Sequence, residues 1–194
     1  DLMVIMGYDY NNDIVYQEQG AVAPLQSSES NNLSLKSTLD FYINKGINVS
    51  KTILALPYYG SMWEGQIDNN GEIESRIERK VTYSEVMNLM KSELVFNPSS
   101  IPIFDETSMT NYMNFIYPDM TTKEIWFDDD YTLGKKYDFA ISKKLKGVGI
   151  WALGYDNGYK DLWKVIEEKF STDKIKISDP IAEMEGYPIK ISRY

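Results

Sequence analysis

The run LMVIMGYD (residues 2–9) is almost continuously apolar until it breaks on a glycine, a tyrosine and an aspartate. Such a run suits a strand buried on both faces, as in a parallel sheet. Two further runs share the build: TILALPYY (52–59) and GVGIWAL (147–153), the second leading into another Gly-Tyr-Asp at 154–156. Between the first two lies SLKSTLDFYINKG (34–46). Its Leu35, Leu39, Tyr42 and Ile43 fall on one helix face, and Gly46 is a C-terminal stop. Strand, loop, helix, strand is a βαβ unit, so the fold class is α/β.

The alternation resumes late in the chain. EIWFDDD (124–130) reads as a strand ending in acidic residues, and DYTLGKKYDFAISKKL (130–145) as a helix. GYKDLWKVIEEKF (158–170) is a third helix after the third strand. Residues 65–125 interrupt the pattern with a turn at DNNG (68–71), an amphipathic helix over 81–94 and short mixed stretches around three prolines. They are predicted to form an inserted α+β subdomain. Residues 11–32 read as a long polar loop, and 171–194 as a tail or the start of another module. Three parallel strands are too few to close a barrel, which takes roughly 250 residues with its helices.

Composition narrows the chemistry. The chain has 194 residues, enough for one domain with a real core. Its 20 basic and 29 acidic residues give a net charge of −9, which argues against nucleic acid as a partner. Cysteine and histidine are absent, so thiolate chemistry, Ser-His-Asp triads and the usual zinc sites are excluded within this chain. Acid–base work falls to carboxylates, tyrosine or lysine. No metal or cofactor is implied, and no apolar run reaches the length of a membrane span. The 15 Tyr, 7 Phe and 4 Trp exceed what a core needs, and a surplus of Tyr and Trp is what a sugar-binding cleft uses. The chain opens on Asp1 directly before an apolar run and reads as cut from something longer.

Four stretches together resemble glycoside hydrolase family 18, the chitinase-like barrels. Met6-Gly7-Tyr8-Asp9 is similar to the M-x-Y-D motif at the end of barrel strand six. KTILALPYYGSMW (51–63) resembles strand seven with its L-P-x-Y-G ending. EIWFDDDYTLGKKYDFAISKKLKGVGIWALGYD (124–156) resembles the segment that runs through strand eight, with Trp151 on that strand's tryptophan. The insertion after strand seven is similar to the family's insertion domain. The resemblance implies the C-terminal part of a TIM (β/α)8 barrel, strands six to eight, with an inserted α+β subdomain. It divides the chain into 1–64 (strands six and seven with helix six), 65–125 (the insertion), 126–170 (helix seven, strand eight, helix eight) and the tail 171–194.

Two departures accompany the likeness. The family's catalytic signature D-x-x-D-x-D-x-E is absent, so the general-acid glutamate is expected on a strand upstream of residue 1. The arginine that usually follows the Y-G of strand seven is replaced by Ser61.

The resemblance implies cleavage of β-1,4-linked N-acetylglucosamine glycans, chitin or peptidoglycan-like, by the substrate-assisted route. Tyr8 and Asp9 are the implied catalytic pair: Tyr8 donates to the N-acetyl oxygen and Asp9 binds sugar hydroxyls. Met6 would pack on the acetyl region and Trp151 would floor the cleft, with Tyr58 and Trp63 lining it. Tyr155-Asp156 reads as the exit from the last strand. Asp128, Asp129 and Asp130 read as a solvated loop and helix N-cap. The implied partners are the glycan and the N-terminal half of the barrel. Such polymers lie outside the cytoplasm, so the protein is expected to be secreted or at the cell surface. The competing function is a non-catalytic glycan-binding protein of the same fold.

Overall fold

A computed structural model describes residues 1–11, 19–27, 33–96 and 101–171; for 74–77 and 93–96 the description stops at the backbone. The predicted 171–194 pieces and most of the 11–32 loop lie outside the described residues. Three strands, β1 (Met3–Met6), β2 (Thr52–Pro57) and β8 (Gly147–Trp151), form a parallel sheet in the order β1-β2-β8. Helix α1 (Leu35–Asn44) connects β1 to β2. Its N-cap is a reciprocal box: the Ser34 hydroxyl accepts from the Ser37 backbone, and the Ser37 hydroxyl accepts from the Ser34 backbone N–H. Leu35 and Leu39 form its buried stripe, and the chain leaves it at Lys45 and Gly46 as the helical period predicts.

The register of the parallel sheet sorts its side chains into two faces. Ile5, Leu54 and Val148 are paired across the strands, and Leu56 with Ile150. This face belongs to the core that α1 helps to cover. The opposite face carries Val4, Met6, Ala55, Gly149 and Trp151. Here the expectation for β1 needs correction: only Ile5 is buried, while Leu2, Val4 and Met6 are exposed. Among the described residues the core covers the face of β1 that carries Ile5, and the face that carries Val4 and Met6 stays exposed. The central strand β2 matches the expectation of a strand buried on both faces, with Thr52, Leu54, Ala55, Leu56 and Pro57 all inside.

Between β2 and β8 the chain builds a five-stranded antiparallel sheet. Its strands are β3 (Tyr59–Ile67), β4 (Ile73–Thr82), β5 (Ile103–Asp105), β6 (Thr110–Ile116) and β7 (Thr121–Phe127), in the order β4-β3-β7-β6-β5. The sheet starts at Tyr59, directly after β2, and ends at Phe127. Helix α2 (Tyr83–Phe96) follows β4. Thr82 and Glu85 cap it: the Glu85 carboxylate accepts from the Thr82 backbone N–H at 2.7 Å, and the Thr82 hydroxyl accepts from the Glu85 N–H at 3.3 Å. Val86, Met87 and Met90 join Met62, Met113 and Ile125 of the sheet in the same core. Met supplies adaptable filling where a helix crosses a twisted sheet.

Helices α3 (Asp130–Ser142) and α4 (Asp161–Phe170) flank β8 in sequence and pack on each other. Asp129 is the N-cap of α3, bonded to Thr132 at 2.8 Å. Asp128 is not solvated, contrary to the sequence reading. It is buried and paired with Lys136, which is fully buried and also donates to the Thr110 hydroxyl at 3.1 Å. Burial pushes the Asp128 carboxyl up and the Lys136 amine down, and each charge opposes the other's shift. This contact ties α3 to β6 of the antiparallel sheet.

A buried pair is most costly when half of it is removed. Asp128→Asn or Lys136→Met alone is therefore expected to destabilise the protein by about 3–5 kcal/mol, because one buried charge loses its partner. The double variant should recover much of that loss in urea denaturation; equal, additive losses would show that the pair is not coupled.

Candidate functional site: an aromatic recess at the strand ends

The carboxyl ends of the three parallel strands converge. Gly7 N–H donates to Ala55 O at 2.8 Å and Tyr58 N–H to Trp151 O at 2.8 Å, so the pairing continues just past the strand ends. Gly7 has no room for a side chain: a β-carbon there would collide with Leu35 and sit against the Ala55 carbonyl. That explains the glycine in Met6-Gly7-Tyr8-Asp9 as a close approach to β2 and α1. Asp9 then adopts φ +61°, a left-handed conformation that Asp tolerates better than most residues. The turn lifts its carboxylate towards the inserted sheet.

Tyr8 and Trp151 come together, with ring centroids 6.4 Å apart and planes tilted by 31°. Trp151 is 54% exposed and Met6 69% exposed, on the same face of the sheet. The Tyr8 phenol is held above its ordinary pKa, mainly by burial and then by the Asp9 charge, so it stays a neutral donor. Of the residues singled out in the sequence, Met6, Tyr8, Asp9 and Trp151 thus share one rim.

Tyr58 and Trp63 do not join them. Tyr58 is 1% exposed, and its hydroxyl donates to the Leu162 carbonyl at 3.3 Å. Trp63 is 2% exposed. Their cleft-lining role is corrected by this burial. The neighbour, Tyr59, lines the strand-end recess instead, and its hydroxyl donates to Asp9 Oδ1 at 2.8 Å. Successive side chains on an extended chain point to opposite sides, so Tyr58 enters the core while Tyr59 faces the rim. Gly60 follows because a β-carbon there would collide with the Trp126 carbonyl of β7.

Asp9, Tyr59 and Trp151 line a recess of about 260 Å³ with Lys80, Thr82 and Tyr155. Lys80 Nζ lies 3.1 Å from Asp9 Oδ1 and also pairs with Glu78. Tyr155 is more than a strand exit: its ring meets Tyr59 edge-on at 6.3 Å, while Asp156 turns inward to accept from Trp163 Nε1 at 3.1 Å. Aromatic faces with a few convergent polar groups are the build of a small-molecule site. A larger groove of about 700 Å³ runs between α2, α3 and α4, away from the strand ends. It holds the pairs Lys169–Asp138 and Tyr83–Asp161, and it lies between helices rather than at the strand ends. Among the described residues no cluster of acidic side chains could hold a metal ion, and no helix is long and apolar enough to cross a membrane.

Several phenols are shifted in a way that can be read in solution. Burial pushes Tyr58 up to about 12. Tyr59, Tyr83 and Tyr137 go well above the ordinary range, in each case mainly through burial. Below about pH 10 folded and unfolded chains both keep these protons, and the phenols' contribution to stability is intact. Above it the unfolded chain releases protons that the folded chain retains, so stability is expected to fall as pH rises. Phenolate absorbance should show a late group of tyrosines whose ionisation coincides with loss of the folded circular-dichroism signal.

Residues 1–156 match the family described as Glycosyl hydrolases family 18. The class V chitinase CHIT5 of Lotus japonicus is 29% identical over 156 residues, which cover 79% of this chain and 38% of that protein. The family 18 chitinase of Cycas revoluta in complex with (GlcNAc)3 superposes with a TM-score of 0.68 at 20% identity, over 88% of this chain and 47% of that one. The chitinase-like agglutinin of Robinia pseudoacacia gives 0.66 at 22% identity, over 88% and 47%. The chain spans less than half the length of the curated relatives it matches. With the match covering four-fifths of its length and the strand-end motifs brought to one rim, the chain belongs to glycosyl hydrolase family 18.

Proposed function

We propose that this chain is the C-terminal part of a family 18 barrel, strands six to eight, in a glycoside hydrolase that cleaves β-1,4-linked N-acetylglucosamine glycans. The observation that carries the reading is the convergence of Tyr8, Asp9 and Trp151 at the carboxyl ends of parallel strands, where barrel enzymes place their sites. The exposed side chain of Val4 supports it too, since the remaining barrel strands would cover it. β1 and β8, the outer strands of the described parallel sheet, are where those strands would pair.

In this mechanism the acetamido oxygen of the bound sugar attacks its own anomeric carbon as the glycosidic bond breaks. A glutamic acid on the upstream part gives its proton to the leaving oxygen. The residues of this chain position the attacking group. The neutral Tyr8 hydroxyl donates to the acetamido oxygen, and Met6 packs on the acetyl methyl. Asp9, anchored by Tyr59, binds a sugar hydroxyl, and Trp151 presents its ring to the sugar's axial C–H groups. Tyr58 and Trp63 take no part. The polymer's location outside the cytoplasm places the enzyme at the cell surface or beyond.

The second reading, a glycan-binding protein without turnover, gains support from the fold shared with the Robinia agglutinin. The upstream glutamate separates the two. On N-acetylglucosamine oligomers, the protein with its upstream segment should turn over substrate and residues 1–194 alone should not. Turnover by the 194 residues alone would sink the assignment of roles. In the full-length enzyme Tyr8→Phe should lower kcat by roughly 100-fold with little change in KM, since it removes one preorganised donor. A normal kcat would remove Tyr8 from the mechanism.

A further inference from the structure

We infer that Lys80 is a positioning residue of this site, supplying from β4 the cation that β3 lacks at Ser61. The inference rests on the glycan reading above. It starts from strand register. At the tip of the β3–β4 hairpin Ile67 pairs with Ile73 and Gln66 with Glu74. The register then shifts between Gly65 and Gln66, and from there Gly65 pairs with Arg76, Trp63 with Glu78 and Ser61 with Lys80. A one-residue shift moves every following side chain to the other face of its strand. Without it Arg79 would stand opposite Ser61. With it Arg79 turns away to pair with Glu85 at 3.3 Å, and Lys80 faces the recess.

Cross-strand partners leave the sheet side by side on one face. Ser61 is fully buried, and its hydroxyl is spent on the Gly20 carbonyl at 3.3 Å, so β3 offers no charge at this place. Lys80 starts from the adjoining position and reaches Asp9 at 3.1 Å. Its ammonium also lies 5.9 Å from the centre of the Tyr59 ring. Tyr59 and Lys80 therefore converge on the same oxygen, Asp9 Oδ1. A short side chain on a left-handed backbone is thereby held from two directions.

Glu78 decides what kind of contact this is. Its side chain is 5% exposed and pairs with the same ammonium. Asp9 and Glu78 are like charges with Lys80 between them. Lys80 offsets the repulsion between the two carboxylates, so removing it takes one anchor from Asp9 and adds repulsion, leaving Tyr59 to hold it. An arginine in place of Lys80 would keep the charge and add donors.

The test measures the Kd of the N-acetylglucosamine tetramer by tryptophan fluorescence, in the full-length protein with its upstream glutamate changed to glutamine so that the tetramer is not cleaved, with melting temperature followed for every variant. Lys80→Met should weaken binding about tenfold, the loss of one charge-assisted contact. Lys80→Arg should stay within about threefold of the wild type. Glu78→Gln placed on Lys80→Met should recover part of the loss, because it removes the repulsion; a merely structural lysine would not respond this way. Lys80→Met binding like the wild type, Lys80→Arg no better than Lys80→Met, or no recovery with Glu78→Gln would each overturn the assignment while leaving the glycan reading in place. A wild-type protein that binds no tetramer sinks the glycan reading and this inference together.

Discussion

The structure turns on three residues, Pro57-Tyr58-Tyr59, where the chain passes from the parallel sheet to the antiparallel one. β2 is the central strand of the first sheet, and β3 lies between β4 and β7 in the second. The passage has no loop, so two sheets with different pairing rules share one continuous backbone. Tyr58 is the pivot. Its N–H donates to Trp151 O, its carbonyl accepts from Tyr83 N–H, and its ring and hydroxyl are buried against α4. Core packing thereby sets the angle at which the inserted sheet leans over the strand ends, and hence the distance from Tyr59 and Lys80 to Asp9.

That geometry gives the site two walls of different origin. One is the strand-end rim, with Tyr8, Asp9 and Trp151. The other is the inserted sheet, with Tyr59, Lys80 and Thr82. Asp9 is the meeting point, and the buried Asp128–Lys136 pair ties the same inserted sheet to α3 through Thr110. Buried ions are costly, and this pair is accepted where α3 and the inserted sheet must keep one relative placement. A specialised contact at Asp9 needs that rigidity, because a carboxylate held by a phenol and an ammonium tolerates little drift.

Much of this was legible in the sequence. Continuous apolar runs marked all three parallel strands, since such strands bury both faces or one face plus an edge. Helical periodicity and caps located α1, α2, α3 and α4 to within a few residues. Motif likeness brought Met6, Tyr8, Asp9 and Trp151 forward, and they do share a rim. The misses have a common cause. Tyr58 and Tyr59 are adjacent and chemically alike, and which one faces the rim depends on the twist of the hand-over. Trp63 lies four residues beyond Tyr59 on the same strand face, yet it does not reach the recess. Asp128 reads like its acidic neighbours, but Lys136 two turns into α3 meets it only once the helix packs on β6.

What the sequence determined by itself is the order of elements, the α/β class, the exclusion of thiol and histidine chemistry, and the strand ends as the place to look. Those properties follow from local periodicity and composition, which each segment carries alone. Only the tertiary structure decided which side chains meet. A single register shift between Gly65 and Gln66 turns Lys80, not Arg79, towards Asp9. Face parity in a strand changes with every residue, and a bulge's effect is felt many residues further along the hairpin. No local pattern records it, because the pairing that defines it comes from the other strand.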